Sequence, residues 1–193
     1  MPHRFRTRGY VPGGFVVNAK QQVVKMAALP PFLRTLLVTD GTVTKSLEAF
    51  FWEVVKVENL GQAVTTLDKD VNWLDAHRDD TVLRRRVRLV GADSGVVYAY
   101  AESLLRHQLL PAELQQSLIK GKIGIGELLR ECGLETYREL LDFGTEPIGD
   151  LAPVFEGRGG SELIYRVYRI ALHGDPVILI TEKFPRAVFD TTT

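Results

Sequence analysis

Apolar and polar positions follow two periods along this chain, and the switches between them mark its elements. Residues 82–90 and 96–103, joined by the turn Ala92-Asp93-Ser94-Gly95, predict a β-hairpin. Residues 163–172 and 177–184, joined by His173-Gly174-Asp175-Pro176, predict another. A further strand is predicted over residues 52–60, with Trp52, Val54 and Lys56 on one face and Val55 and Val57 on the other. The helical period shows at Val43, Leu47, Phe50 and Phe51, predicting a helix from about Thr44. Pro111-Ala112-Glu113 opens another helix, proline being favoured in a first turn, and residues 126–132 make a short one ended by Gly133. Residues 20–29 are predicted as a short helix stopped by Pro30-Pro31. Residues 137–143 fit either period, because Leu140-Leu141 at their centre does not settle it, and residues 68–80 and 145–160 are rich in turn formers.

Residues 1–18 therefore read as an irregular arm ending at Pro12-Gly13-Gly14, and residues 19–193 as one domain. Strands joined by tight turns with helices clustered between them define an α+β class, an antiparallel sheet with helices mostly on one side. The two hairpins resemble one another: Arg85-Arg86-Val87-Arg88-Leu89 matches Tyr165-Arg166-Val167-Tyr168-Arg169-Ile170 in kind, and Ala101-Glu102-Ser103 parallels Thr181-Glu182-Lys183. Either a duplication or the shared needs of antiparallel strands explains this.

Composition narrows the function. Of 193 residues, 45% are hydrophobic and 25% charged, the proportions of a folded globular chain. A domain of this length buries about 70% of the surface its unfolded form exposes, so it folds without disulfides or metals. The 24 Lys and Arg balance 24 Asp and Glu, which leaves no long-range field to draw the chain to nucleic acid. No stretch approaches the ~20 apolar residues of a membrane span. The lone Cys132 cannot form an internal disulfide, so a reducing cytoplasm is the expected location, and His3, His77, His107 and His173 lie beyond helical reach of one another, so no metal site is expected. The basic start, with Arg4, Arg6 and Arg8, has no assigned role.

Candidate chemistry comes from strand alternation. On residues 82–90 the period of two puts Arg85 on the face of Val87 and Leu89, while Arg84, Arg86 and Arg88 share the other. A guanidinium aimed at the core costs several kcal/mol unless a carboxylate or an anionic ligand meets it. On the last strand Glu182 continues the face of Ile178 and Ile180. Two readings stay open: an Arg85–Glu182 ion pair closing the sheet, or a polar site inside an apolar cavity. The glycines of Gly121-Lys122-Ile123-Gly124-Ile125-Gly126 lack the order of a phosphate loop, and a tight opening of the helix at Gly126 with Ile125 projecting inward accounts for them better. No Ser-His-Asp arrangement is present to support hydrolysis.

Leu37-Val38-Thr39-Asp40-Gly41-Thr42-Val43-Thr44 with Leu47-Glu48, the Arg85-Arg86-Val87-Arg88-Leu89 strand, Ile125-Gly126-Glu127 and Ile178-Leu179-Ile180-Thr181-Glu182-Lys183-Phe184-Pro185 together resemble the chorismate pyruvate-lyases. Ala101-Glu102-Ser103-Leu104 and Tyr165-Arg166-Val167-Tyr168-Arg169 resemble a divergent branch of that superfamily, and the likeness spans residues 31–189. The resemblance implies a six-stranded antiparallel sheet with helices and flaps enclosing a ligand cavity. It also implies conversion of chorismate to 4-hydroxybenzoate and pyruvate without a cofactor. The family's essential arginine and glutamate fall on Arg85 and Glu182, its apolar flap contacts on Val43 and Ile125, and arginines of its penultimate strand on Arg166 and Arg169. Glu102 stands where the better-known lyases carry an arginine.

Chorismate carries two carboxylates, and a bidentate arginine suits each: Arg85 for one, Arg166 or Arg169 for the other. Glu182 then assists proton movement. The expected partner is the small-molecule substrate, with neither nucleic acid nor membrane, and the product would feed ubiquinone or another metabolite derived from 4-hydroxybenzoate. The alternative is a non-catalytic domain binding an aromatic carboxylate, related to effector domains of GntR-class repressors. Residues ahead of Pro30 are too few for a winged helix, which favours the enzyme.

Overall fold

The computed structural model describes residues 12–39, 42–120 and 124–190. The basic stretch with Arg4, Arg6 and Arg8, the Asp40-Gly41 turn, and Gly121, Lys122 and Ile123 lie outside them. In chain order the elements are β1 (Phe15–Val17), β2 (Val23–Lys25), α1 (Pro31–Leu36), α2 (Val43–Phe51), β3 (Val55–Thr66), β4 (Thr81–Gly91), β5 (Val97–Leu105), α3 (Ala112–Lys120), α4 (Ile125–Glu131), β6 (Thr136–Pro147), β7 (Glu162–Leu172), β8 (Asp175–Pro185) and α5 (Arg186–Phe189). The class is α+β. Strands β3 to β8 form a six-stranded antiparallel sheet in the order β3-β4-β5-β8-β7-β6.

Residues 20–29 do not form the expected helix. The side chain of Asn18, itself buried, accepts the backbone N–H groups of Lys20 and Gln22 at 3.0 and 2.9 Å, and Gln21 takes a left-handed φ of 61°. This local turn reverses the chain, so β1 pairs with β2 and Val16 and Val24 join the core from alternating positions. Phe15–Val17, expected within the irregular arm, is consequently strand. The hairpin is held to β6 where Asp142 accepts the Ala19 N–H at 2.9 Å. Helix α2 ends at Trp52, which adopts φ 59°, so the next strand begins at Val55 and Trp52 stands in solvent. Residues 137–143 are strand, the middle of β6.

The sheet order is symmetric about the β5–β8 junction, and the register repeats with it. Val57↔Leu89 and Gln62↔Arg85 on β3–β4 have counterparts Arg138↔Ile170 and Phe143↔Arg166 on β6–β7, all at one constant offset in sequence. A bulge between Asn59 and Gly61 recurs at that offset between Leu140 and Asp142. Trp52 and Gly133, both left-handed and both just past a helix, stand at the same offset. Generic strand requirements do not place a bulge twice at the same register position. The molecule is therefore built from two copies of one helix–helix–three-strand unit. The register also corrects the alignment of the hairpins: Arg85↔Ser103 corresponds to Arg166↔Glu182, so the counterpart of Glu182 is Ser103 and not Glu102.

Each unit lays its helices on the same face of the sheet. Leu33, Leu36, Val43 and Leu47 from α1 and α2 pack with Leu89, Ala99, Ile164 and Phe184, and Leu114, Leu118, Ile125, Leu128 and Leu129 from α3 and α4 pack with Leu105, Ile170, Ile178 and Ile180. Complete burial of each such side chain contributes about 1.5–3 kcal/mol. Between these two apolar lobes the sheet is left with a cavity above it. The opposite face is covered by the turn Gly149–Phe155, through Phe155 on Tyr100 and Leu163, and by Leu74 of the loop between β3 and β4.

Candidate active site

The cavity has a volume of about 500 Å³ and is lined by residues of all six strands of the sheet, β3 contributing Val55, Lys56, Val57 and Glu58. β4 contributes Arg85, Val87 and Leu89, β5 Ala101 and Ser103, β8 Ile180 and Glu182, β7 Tyr168 and Ile170, and β6 Arg138. The starts of α2 and α4 lie across it, bringing Val43 and Ile125 into the lining. These starts approach each other closely: a Cβ added to Gly126 would lie 2.9 Å from Cγ2 of Thr42. Gly126 has an ordinary φ, so glycine serves close approach here and not backbone freedom.

Arg85 is 2% exposed, in phase with Val87 and Leu89, whereas Arg84 and Arg86 are exposed and Arg88 half-buried on the reverse face. Burial pushes the Arg85 guanidinium below its usual pKa. Glu182 is also buried and lines the same cavity, but its ion pair is with Arg166. Arg166 Nε donates to Glu182 Oε2 at 2.6 Å, and the Tyr168 hydroxyl donates to Oε1 at 3.0 Å. Arg166 Nη1 donates to the Leu36 carbonyl, and its guanidinium lies 4.8 Å over the Tyr168 ring. Burial disfavours the charge on Arg166, but Glu182 and Tyr168 outweigh it and the pKa is raised. Burial, reinforced by the Glu182 charge, pushes the Tyr168 phenol up, so it remains a donor.

The expected site residues therefore separate. Arg85, Glu182, Val43 and Ile125 meet around one cavity. Arg166 adjoins it as the partner of Glu182. Arg169 projects from the other side of β7, where its Nε donates to Glu139 at 2.8 Å. Glu102 pairs with Arg84 at 3.0 Å on that reverse face, between the cavity-facing Ala101 and Ser103. Tyr168, Ser103 and Arg138 were not singled out from sequence. Tyr168 was within reach of alternation, being two residues from Arg166 on the same strand. Chemically the cavity offers a buried cation, a carboxylate held at both oxygens, and walls in which apolar side chains such as Val87, Leu89 and Ile180 stand beside charged ones, among them Lys45, Lys56, Arg130 and Arg138. Among the described residues no three His, Cys, Asp or Glu side chains are grouped to hold a metal ion, and no helix is long and apolar enough to cross a membrane.

Among solved structures, the effector domain of PhnF from Mycobacterium smegmatis matches with a TM-score of 0.61, covering 77% of this chain and 90% of that one at 13% identity. A GntR-family transcriptional regulator from Bacillus cereus matches at 0.56, covering 72% and 96% at 12% identity. Likeness at such identities concerns the fold, and it defines the class: an α+β domain with the architecture of these effector domains. Within that architecture the chain belongs to the chorismate pyruvate-lyase Rv2949c-like family, whose sequence pattern matches residues 37–191. It is 34% identical over 164 residues to the chorismate pyruvate-lyase of Mycobacterium leprae, covering 83% of this chain and 77% of that protein. The chorismate pyruvate-lyase of Mycobacterium tuberculosis is 27% identical over 164 residues, covering 81% of each.

Proposed function

We propose that this chain is a lyase that converts chorismate to 4-hydroxybenzoate and pyruvate. The observation that carries the reading is the convergence of buried Arg85 and Glu182 on one cavity in a member of this family. Arg85 holds the ring carboxylate through charge-assisted hydrogen bonds. Glu182 accepts the proton from the hydroxyl-bearing ring carbon as the neighbouring bond to the enolpyruvyl oxygen breaks. The ring becomes aromatic, and protonation of the departing enolate at its methylene gives pyruvate. Atoms and electrons balance within the substrate, so the reaction needs no electron carrier. Val43 and Ile125 shield the ring from water and slow the release of product.

The test is incubation of the purified protein with chorismate, following pyruvate by coupled oxidation of NADH and 4-hydroxybenzoate by chromatography. Equimolar appearance of both supports the reading. The shared architecture with effector domains favours one alternative, binding of an aromatic carboxylate without turnover. Saturable binding of 4-hydroxybenzoate with no pyruvate released from chorismate would select it.

A further inference from the structure

The two halves of the sheet put the same cationic side chain in equivalent places and surround it differently. Arg85 has Ser103 as its cross-strand neighbour, and Val87 is the next cavity-facing residue on its strand. At the equivalent places beside Arg166 stand Glu182 and Tyr168. The half that carries the carboxylate thus also carries a phenol, and the two are hydrogen-bonded.

Resting on the lyase reading, we propose that Tyr168 is a positioning residue of the reaction: together with Arg166 it fixes both oxygens of Glu182, so that the carboxylate presents a lone pair to the bound ring. An ionised carboxylate has about four acceptor sites, of which Arg166 and Tyr168 occupy one on each oxygen. The clamp is itself fixed, because Arg166 is bonded to the Leu36 carbonyl and stacked on the Tyr168 ring. Rotation of the Glu182 carboxyl group would break one hydrogen bond or both. Tyr168 lines the cavity beside Glu182, so its hydroxyl acts at the wall where the ring must lie. Arg166 serves the same clamp, which makes it a holder of the base and not a ligand of the substrate.

Tyr168→Phe tests this, since it removes the hydroxyl and keeps the ring beneath Arg166. With chorismate as substrate, kcat is expected to fall about 10- to 100-fold, as for a misoriented catalytic group. KM and the Kd of 4-hydroxybenzoate should change by less than about threefold, because on the lyase reading binding rests on Arg85 and on Val43 and Ile125 rather than on the Tyr168 hydroxyl. In protein labelled with 13C at the glutamate carboxyls, the Glu182 resonance, assigned by its loss in Glu182→Gln, should move in Tyr168→Phe. An unchanged kcat, or a lowered melting temperature with full kcat, overturns the proposal. If the unmodified protein releases no pyruvate from chorismate, the lyase reading fails, and the resonance alone judges the clamp: a shift sustains it and no shift overturns it.

Discussion

Replacing Arg85 by methionine removes the charge while keeping an apolar stem. Arg85 is 2% exposed and lines the cavity, so a carboxylate that reaches it exchanges water for a charge-assisted bond to a buried guanidinium. Hydrogen bonds to charged groups contribute about 1.5–3 kcal/mol. At 1.4 kcal/mol per tenfold change, the Kd of 4-hydroxybenzoate should rise about 10- to 150-fold. Phenol has the same ring and hydroxyl but no carboxylate, and its Kd should change by no more than about threefold. Isothermal titration of both ligands against both proteins gives the difference directly, with circular dichroism confirming that the variant is folded. Equal weakening of phenol and 4-hydroxybenzoate in a folded variant would mean that Arg85 supports the shape of the cavity and does not bind the ring carboxylate.

Glu182→Gln should lower turnover of chorismate by about 10²–10⁴, measured by pyruvate release, with a smaller change in 4-hydroxybenzoate affinity; unchanged turnover refutes the role of base. Arg166→Met breaks a pair whose side chains are 5% and 8% exposed, and should cost about 3–5 kcal/mol in urea unfolding. Arg169→Met breaks a pair about one-third exposed and should cost no more than about 1 kcal/mol, so similar losses would contradict the burial argument. Glu53 is held at a pKa of about 2 by the Tyr98 hydroxyl first; burial opposes this as the next largest effect, and Ser94 and the Asp93 amide add to the lowering. Its folded pKa lies below the unfolded one, so its stabilisation is present above about pH 4.5 and is lost as pH falls toward 2. In Glu53→Gln the acid-side slope of the melting temperature should flatten between those values, and an unchanged slope counts against the assignment.

The inward direction of Arg85 and Glu182 was legible because each sits among apolar neighbours in a strand of regular period two. The period of β6 was unreadable for a specific reason: Leu141 lies in the bulge between Leu140 and Asp142, where two residues oppose one and alternation slips. The Asn18 turn was hidden because a single side chain, capturing two backbone N–H groups, overrode the helix-like composition of residues 20–29. The partner of Glu182 was not legible: alternation offered Arg85, and the structure pairs Glu182 with Arg166. Which arginine it meets depends on register between β7 and β8, a non-local quantity that alternation within one strand does not carry. The same limit applies to Arg166 and Arg169: their spacing puts them on opposite faces, but only register shows Arg166 beside Glu182 and Arg169 beside Glu139.

The duplicated unit gives its two inward arginines different cross-strand neighbours. Symmetry places two guanidinium groups inward at equivalent positions, and burying either without compensation would cost several kcal/mol. Glu182 and Tyr168 meet that cost at Arg166, where the resulting cluster is complete and adjoins the helical lobe through the Leu36 carbonyl. At Arg85 the equivalent neighbour on β5 is the uncharged Ser103, and on the lyase reading the ring carboxylate of the ligand would lie beside this guanidinium. Departure from symmetry at two positions, Ser103 against Glu182 and Val87 against Tyr168, thus puts a buried carboxylate and a phenol in one half of the sheet while both halves keep an inward arginine. Glu102 lies outside this division. It alternates away from the cavity to meet Arg84, so its charge does not enter the lining.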